Sequence, residues 1–311
     1  GTGASTTFLS QRDGLAVYGL RTGEVELAVI PELGANLVSL RSVRSGREWM
    51  WRRPDGVGLF PNARGDAFEQ SPLTGAVECL PTIAACTVAG REFPDHGETW
   101  AAPWTLHEDA FRNGALHTSM RLPACGLEFS RSIRLDGRVA RFEYRLVNRS
   151  REVTPYLWAF HPLLGVEPDD RLELPASIRK LRMEVSEGFP EIADAGLWNW
   201  PEPSPGIRLN RVASGLPPKS FAKLFADFRS SSDGWAALRR GTERLEFRFD
   251  PKEIPYLGLW FTAGGWHGFT HIAIEPTSDM TDSLVESGSN SLAPMGERWW
   301  CFEIVLSAKE C

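Results

Sequence analysis

The sequence predicts a mainly β protein. Strand-length stretches alternate polar and apolar residues, tight-turn signals separate them, and no stretch carries a long helical period. The 29 Gly and 22 Pro punctuate 311 residues too often for long helices, and suit many strands joined by broad loops. The 12 Trp and 17 Phe are available to fill the space between sheets or to line a cleft.

Near the start, EVELAVIPELGANLVSLRS (24–42) reads as two strands interrupted by Pro31 and Gly34. The clearest element is LEFSRSIRLDGRVARFEYRLV (127–147). Leu127, Phe129, Ile133 and Leu135 precede the Asp136-Gly137 turn; Ala140, Phe142, Tyr144 and Leu146 follow it. A period of two puts these groups on one sheet face, and Asp-Gly is a favoured hairpin turn. A second hairpin fits GWAALRRGTERLEFRFD (234–250), with Leu245, Phe247 and Phe249 facing one way. Short helices are expected near Pro190 to Ala195 and Pro217 to Leu224, where Pro and Ser mark candidate starts. The stretch 198–218 reads as a long irregular excursion. The strand segments on both sides of it are alike in character, so one domain is expected over residues 1–311.

Composition narrows the function classes. With 34 Lys plus Arg against 40 Asp plus Glu the formal net charge is -6, which offers no broad basic surface for nucleic acid. No apolar run approaches the roughly 20 residues of a membrane-spanning helix. The N-terminal stretch lacks a basic region followed by an apolar one, so a cytoplasmic protein is expected, as monomer or homodimer. Cys79, Cys86, Cys125, Cys301 and Cys311 form no CxxC pattern and read as reduced thiols rather than metal ligands. No cofactor motif is visible, and no metal or cofactor is expected.

Three stretches carry ionisable side chains in unusual settings: FPDHGETWAAPW, WAFHPLL and HIAIEPTSD. His161 ends an apolar run immediately before Pro162, which biases it to extended backbone and could project it from a sheet rim. Glu275 likewise ends an apolar strand before Pro276; a carboxylate there is costly to bury unless it is bonded or used. A structural histidine and a turn-fixing acid are the plainer readings of the two. His96 stands beside Gly97, which would let a ligand approach the backbone. Trp100 and Trp104 could stack on a sugar ring or simply fill the core. Glu78, in GAVECLPTI, could orient a histidine or a hydroxyl, or make a structural hydrogen bond. Lys223 and Asp227 read as cleft or ion-paired edge residues, and Asp279 and Asp282 as turn or surface acids. His267 and His271 have helical metal spacing but lie in a glycine-rich loop and strand, while His107 and His117 have no supporting pattern.

These stretches, in this order, resemble the aldose 1-epimerase, or galactose mutarotase-like, superfamily. The resemblance spreads from VELAVIPELGANLVSLR to SLAPMGERWWCFEIVL and is sharpest at DHGETW, FHPLL and IAIEPTSD. It implies one large antiparallel β-sandwich whose cleft binds a monosaccharide or sugar phosphate. It also implies His161 as general acid on the ring oxygen, Glu275 as general base on the anomeric hydroxyl, and His96 as the second cleft histidine. Trp100, Glu78, Arg64 and Asp227 are the further candidates for holding the sugar. The asparagine–arginine segment typical of galactose mutarotases is not recognisable before His96, which leaves Arg64 as the candidate guanidinium and Asp227 as the candidate hydroxyl-binding acid. A noncatalytic carbohydrate-binding protein, or another carbohydrate-active enzyme using the same cleft, are the alternatives.

Overall fold

The computed structural model describes residues 3–288 and 290–309. Cys311 lies outside the described residues. The architecture is mainly β, built on two large antiparallel sheets of eleven and eight strands. The larger sheet runs from Thr6–Arg12 at one edge, through Leu15–Arg21, Val25–Ile30 and Asn36–Ser42, to a central group. That group is Ala76–Cys79, Ala159–Leu164, Phe269–Thr277, Tyr256–Trp266 and Ser220–Asp227, with Lys180–Glu187 and Leu197–Asn199 at the far edge.

The eight-stranded sheet contains both predicted hairpins. Leu127–Asp136 pairs with Val139–Asn148 through the Asp136-Gly137 turn, where Gly137 has φ 57°. Gly234–Arg240 pairs with Glu243–Phe249, and Leu245, Phe247 and Phe249 are all buried. The inward face of this sheet stacks aromatic rings, with Phe142 on Phe302 at 4.7 Å and Tyr144 on Trp300 at 5.5 Å. Phe160 of the larger sheet packs on Phe302 at 5.2 Å, which identifies the face of Ala159–Leu164 that looks into the core.

Two expectations are corrected. Pro217 to Leu224 is not helical: Ser220–Asp227 is a central strand, because Ala222, Leu224 and Ala226 alternate toward the core and its backbone groups pair with two neighbours. Pro190 to Ala195 forms bends without a helix. Among the described residues the α-helix is confined to Glu108–Arg112.

One residue interrupts the hydrophobic phase of the first hairpin. Arg131 lies between Phe129 and Ile133 on the inward face and is fully buried. Its charge is met by Glu78, whose Oε2 accepts hydrogen bonds from Arg131 at 3.0 Å and Tyr144 at 2.7 Å, while Oε1 accepts one from Trp158 at 2.8 Å. Phe160 is the register partner of Glu78, so the carboxylate shares the core-facing side of that strand pair.

Candidate functional site

Strand alternation sends the neighbours of the core residues to the opposite face of the eleven-stranded sheet. His161 follows Phe160, Lys223 precedes Leu224, and His271 and Glu275 flank Ile272 and Ile274. These four side chains meet at the floor of a cavity of about 190 Å³. Phe68, Trp260 and Trp266 supply aromatic walls, and Asp95, His96 and Asp282 supply polar ones.

Glu275 is fully buried. Its Oε1 lies 3.6 Å from His161 Nε2, and its Oε2 lies 3.0 Å from Lys223 Nζ. Neither oxygen receives a well-directed hydrogen bond from the protein. Lys223 Nζ also donates to Asp282 Oδ1 at 3.0 Å. Burial alone would push the Glu275 carboxyl up, but Lys223 and then His161 outweigh it and hold the group below the usual carboxylate range. Lys223 is the mirror case: burial opposes its charge, yet Asp282 and Glu275 raise it above the ordinary lysine value. For Asp282 burial prevails over Lys223, so its proton affinity is raised.

The histidines divide by environment. Burial pushes His161 down to about 4 despite Glu275, so the imidazole is neutral at pH 7. His271 is pushed down to about 3 by burial and then by His161. Its Nε2 accepts a hydrogen bond from Trp260 Nε1 at 3.2 Å, and its ring lies 4.5 Å from Trp51. His96 stacks on Phe68 at 3.7 Å with the planes 14° apart, and its Nδ1 is 3.1 Å from Asp95 Oδ2. Its ring stands 5.1 Å from His161, edge to face.

Of the sequence-predicted residues, the structure brings His96, His161 and Glu275 together. The others lie elsewhere. Glu78 is in the core phase of its strand, enclosed by Arg131, Tyr144 and Trp158. Trp100 is buried behind Phe68 and donates its indole N–H to the Asp95 carbonyl at 2.9 Å. Arg64 is half-exposed and bound to Glu98 at 2.7 Å and to the Glu92 carbonyl. Asp227 pairs with Arg229 at 2.8 Å. It lies four residues beyond Lys223, roughly 13 Å along the strand. Gly97 has φ 79°, and a Cβ there would clash with the Leu80 carbonyl oxygen, so the space its missing side chain leaves is closed by the protein's own backbone.

The sequence marks Lys223, Asp282 and His271 only faintly. For Lys223 and His271 the signal is phase, since they sit at polar positions of strands whose other face is apolar; Asp282 lies in a loop and has no such signal. No group of three or more His, Cys, Asp or Glu side chains among the described residues is arranged to hold a metal ion.

No family model matches the sequence, and no curated protein matches it. Solved structures do match over nearly the whole chain. A galactose mutarotase-like protein from Clostridium acetobutylicum superposes with a TM-score of 0.67 at 14% identity, covering 99% of each chain. A galactose mutarotase related enzyme from Lactobacillus acidophilus gives 0.66 at 15% identity, covering 94% of this chain and 97% of its own. A galactose mutarotase-like protein from Lactobacillus casei gives 0.64 at 15%, covering 97% and 100%. At such identities the likeness is one of fold: this chain has the galactose mutarotase-like β-sandwich.

Proposed function

We propose that the protein interconverts the α and β anomers of an uncharged aldose in this cavity. One observation carries the reading: a fully buried carboxylate, ion-paired at Oε2 with Lys223 3.0 Å away, leaves its Oε1 without a hydrogen bond 3.6 Å from a neutral imidazole beneath aromatic walls. Buried polar atoms left in this state need an explanation, and a catalytic role is a standard one.

The chemistry balances with these two groups. Glu275 takes the proton of the anomeric hydroxyl; the released electron pair forms C1=O1, and C1–O5 breaks with its pair moving to O5. His161 N–H gives its proton to O5, a neutral imidazole acting as electrophile. The imidazolate left behind recovers a proton from the Glu275 carboxyl once their 3.6 Å separation closes to hydrogen-bond distance, so both groups are restored. Rotation about C1–C2 exposes the other carbonyl face, and the reversed transfers close the ring. The aromatic walls suit the C–H faces of a pyranose.

Charge selects the substrate class. The cavity is lined by Asp95, Glu275 and Asp282 against one cation, Lys223. Arg52, Arg53 and Arg64 pair with Glu48, Asp55 and Glu98, and none lines the cavity. A phosphate would meet net negative charge, so hexose 6-phosphates are disfavoured.

Magnetisation-transfer NMR over a panel of aldoses and hexose 6-phosphates tests the reading. Wild type is expected to accelerate anomer exchange of an uncharged aldose, and Glu275→Gln and His161→Ala to lose about 100-fold or more of that rate. Sugar binding with no acceleration by folded wild type would refute turnover. It would support the second reading, a carbohydrate-binding protein, which the lysine's hold on Glu275 favours because it weakens the carboxylate as a base.

A further inference from the structure

Lys223 and Glu275 stand on strands that do not adjoin. Ser220–Asp227 and Phe269–Thr277 are separated by Tyr256–Trp266, so two inter-strand steps of about 4.8 Å divide their backbones. A side chain on the middle strand would ordinarily fill that gap. The residue opposite Glu275 on the middle strand is Gly258. A Cβ there would fall 2.9 Å from Lys223 Cε, 3.4 Å from its Nζ and 3.3 Å from Glu275 Cβ. Gly258 lies outside the left-handed φ region, so what matters at this position is the missing side chain rather than backbone freedom.

We propose that Lys223, threaded across Gly258, is a positioning residue that holds the Glu275 carboxylate in place and charged inside the cavity, with Asp282 anchoring the lysine. The lysine is 4% exposed and places its ammonium 3.0 Å from each of the two carboxylates. Without it, Glu275 would face the neutral His161 in a desolvated site, and burial would then govern its proton affinity. The charges facing Glu275 and Lys223 across the cavity are Asp282 and Asp95. Both are negative and would push the uncompensated carboxylate further toward its protonated form. The kinetic consequence rests on the mutarotase reading above; the ion pair and its protonation state do not.

Two readouts keep those apart. The first is the pH profile of kcat/KM for anomer exchange in wild type, Lys223→Met, Lys223→Arg and Gly258→Ala. The second is the side-chain carboxyl 13C titration of Glu275 in the same proteins, assigned with Glu275→Gln. In Lys223→Met the acid limb and the carboxyl midpoint should both move up by about one pH unit or more. Gly258→Ala should move them in the same direction by less, since it displaces the ammonium without deleting it. Lys223→Arg should restore most of the wild-type position. Unchanged midpoints in folded Lys223→Met and Gly258→Ala would overturn the proposal. If Lys223→Met does not fold, Gly258→Ala alone decides. If wild type exchanges no sugar, the activity reading fails while the carboxyl titration still tests the lysine.

Discussion

Replacing Arg131 by methionine would remove the cation that, among the described residues, pairs with a carboxylate sealed in the core. Glu78 and Arg131 both have fully buried side chains, 3.0 Å apart. Tyr144 and Trp158 would still donate to Glu78, and the Ala35 carbonyl would lose its 2.6 Å bond to the guanidinium. Burial already raises the Glu78 proton affinity against the pull of Arg131, so the widowed carboxylate would gain a proton rather than stay charged. Breaking a buried pair from one side costs about 3–5 kcal/mol, and protonation of Glu78 places Arg131→Met toward the lower end. In the double variant Arg131→Met with Glu78→Gln, the glutamine carbonyl still accepts from Tyr144 or Trp158. It should recover about half of that loss. Equilibrium unfolding in urea at pH 7, followed by tryptophan fluorescence, measures both. Because Glu78 faces the core, exchange per folded molecule should stay at the wild-type level. A single variant within about 1 kcal/mol of wild type, or a double variant no better than the single one, would refute the electrostatic account. Loss of sugar binding at undiminished stability would instead place Glu78 in the site.

Two further outcomes are expected. His161 and His271 are held down to about 4 and about 3 from an ordinary 6.5, so between those values and 6.5 the unfolded chain binds more protons than the folded one. Stability should therefore fall as pH drops from 6.5 toward 4, each histidine contributing up to about 1.4 kcal/mol per pH unit, and His271→Gln should flatten the slope measured by urea unfolding. An unaltered slope would remove His271 from the account. Gly97→Ala should cost about 2 kcal/mol or more and weaken sugar binding through the adjacent His96, because its φ is 79° and its Cβ would meet the Leu80 carbonyl. Gly46→Ala, at φ 72° in open space, is the control, and thermal unfolding of the two variants isolates the steric part.

What the sequence made legible follows from what period and turn chemistry can encode. The 127–147 and 234–250 hairpins were readable because apolar side chains recur every second residue and the turns carry glycine. His161 and Glu275 were readable as ionisable residues beside a proline in apolar runs, but the expected rim position is not found: both lie inside central strands, Ala159–Leu164 and Phe269–Thr277. Arg131 and Glu78 were harder to read, because their pairing joins two sheets across 53 residues of sequence. A charged residue in the inward phase between Phe129 and Ile133 does announce a buried partner, but not which one. The strand at Ser220–Asp227 carries a misleading local signal, because Pro217 and Ser220 mimic a helix start, whereas the tertiary pairing of both its edges decides the matter.

The cavity itself depends on a contact that one-dimensional patterning does not contain. Strand alternation assigns Lys223, Gly258 and Glu275 to one face only after the order of three strands is known. In the sequence, Gly258 is one glycine among 29, and Lys223 is a lone cation in an apolar run. Only the sheet makes the glycine an opening and the lysine its occupant. The same geometry explains why Asp227, the nearest acid in the sequence, is paired with Arg229 while Asp282, from a distant loop, meets the lysine. A residue on this strand reaches the cavity by its distance along the strand, and Asp227 lies four residues past the point where the three side chains converge. Substituting Asp227 should therefore leave the ionisation of Glu275 unchanged, whereas filling the gap at Gly258, a change with no charge of its own, should shift it.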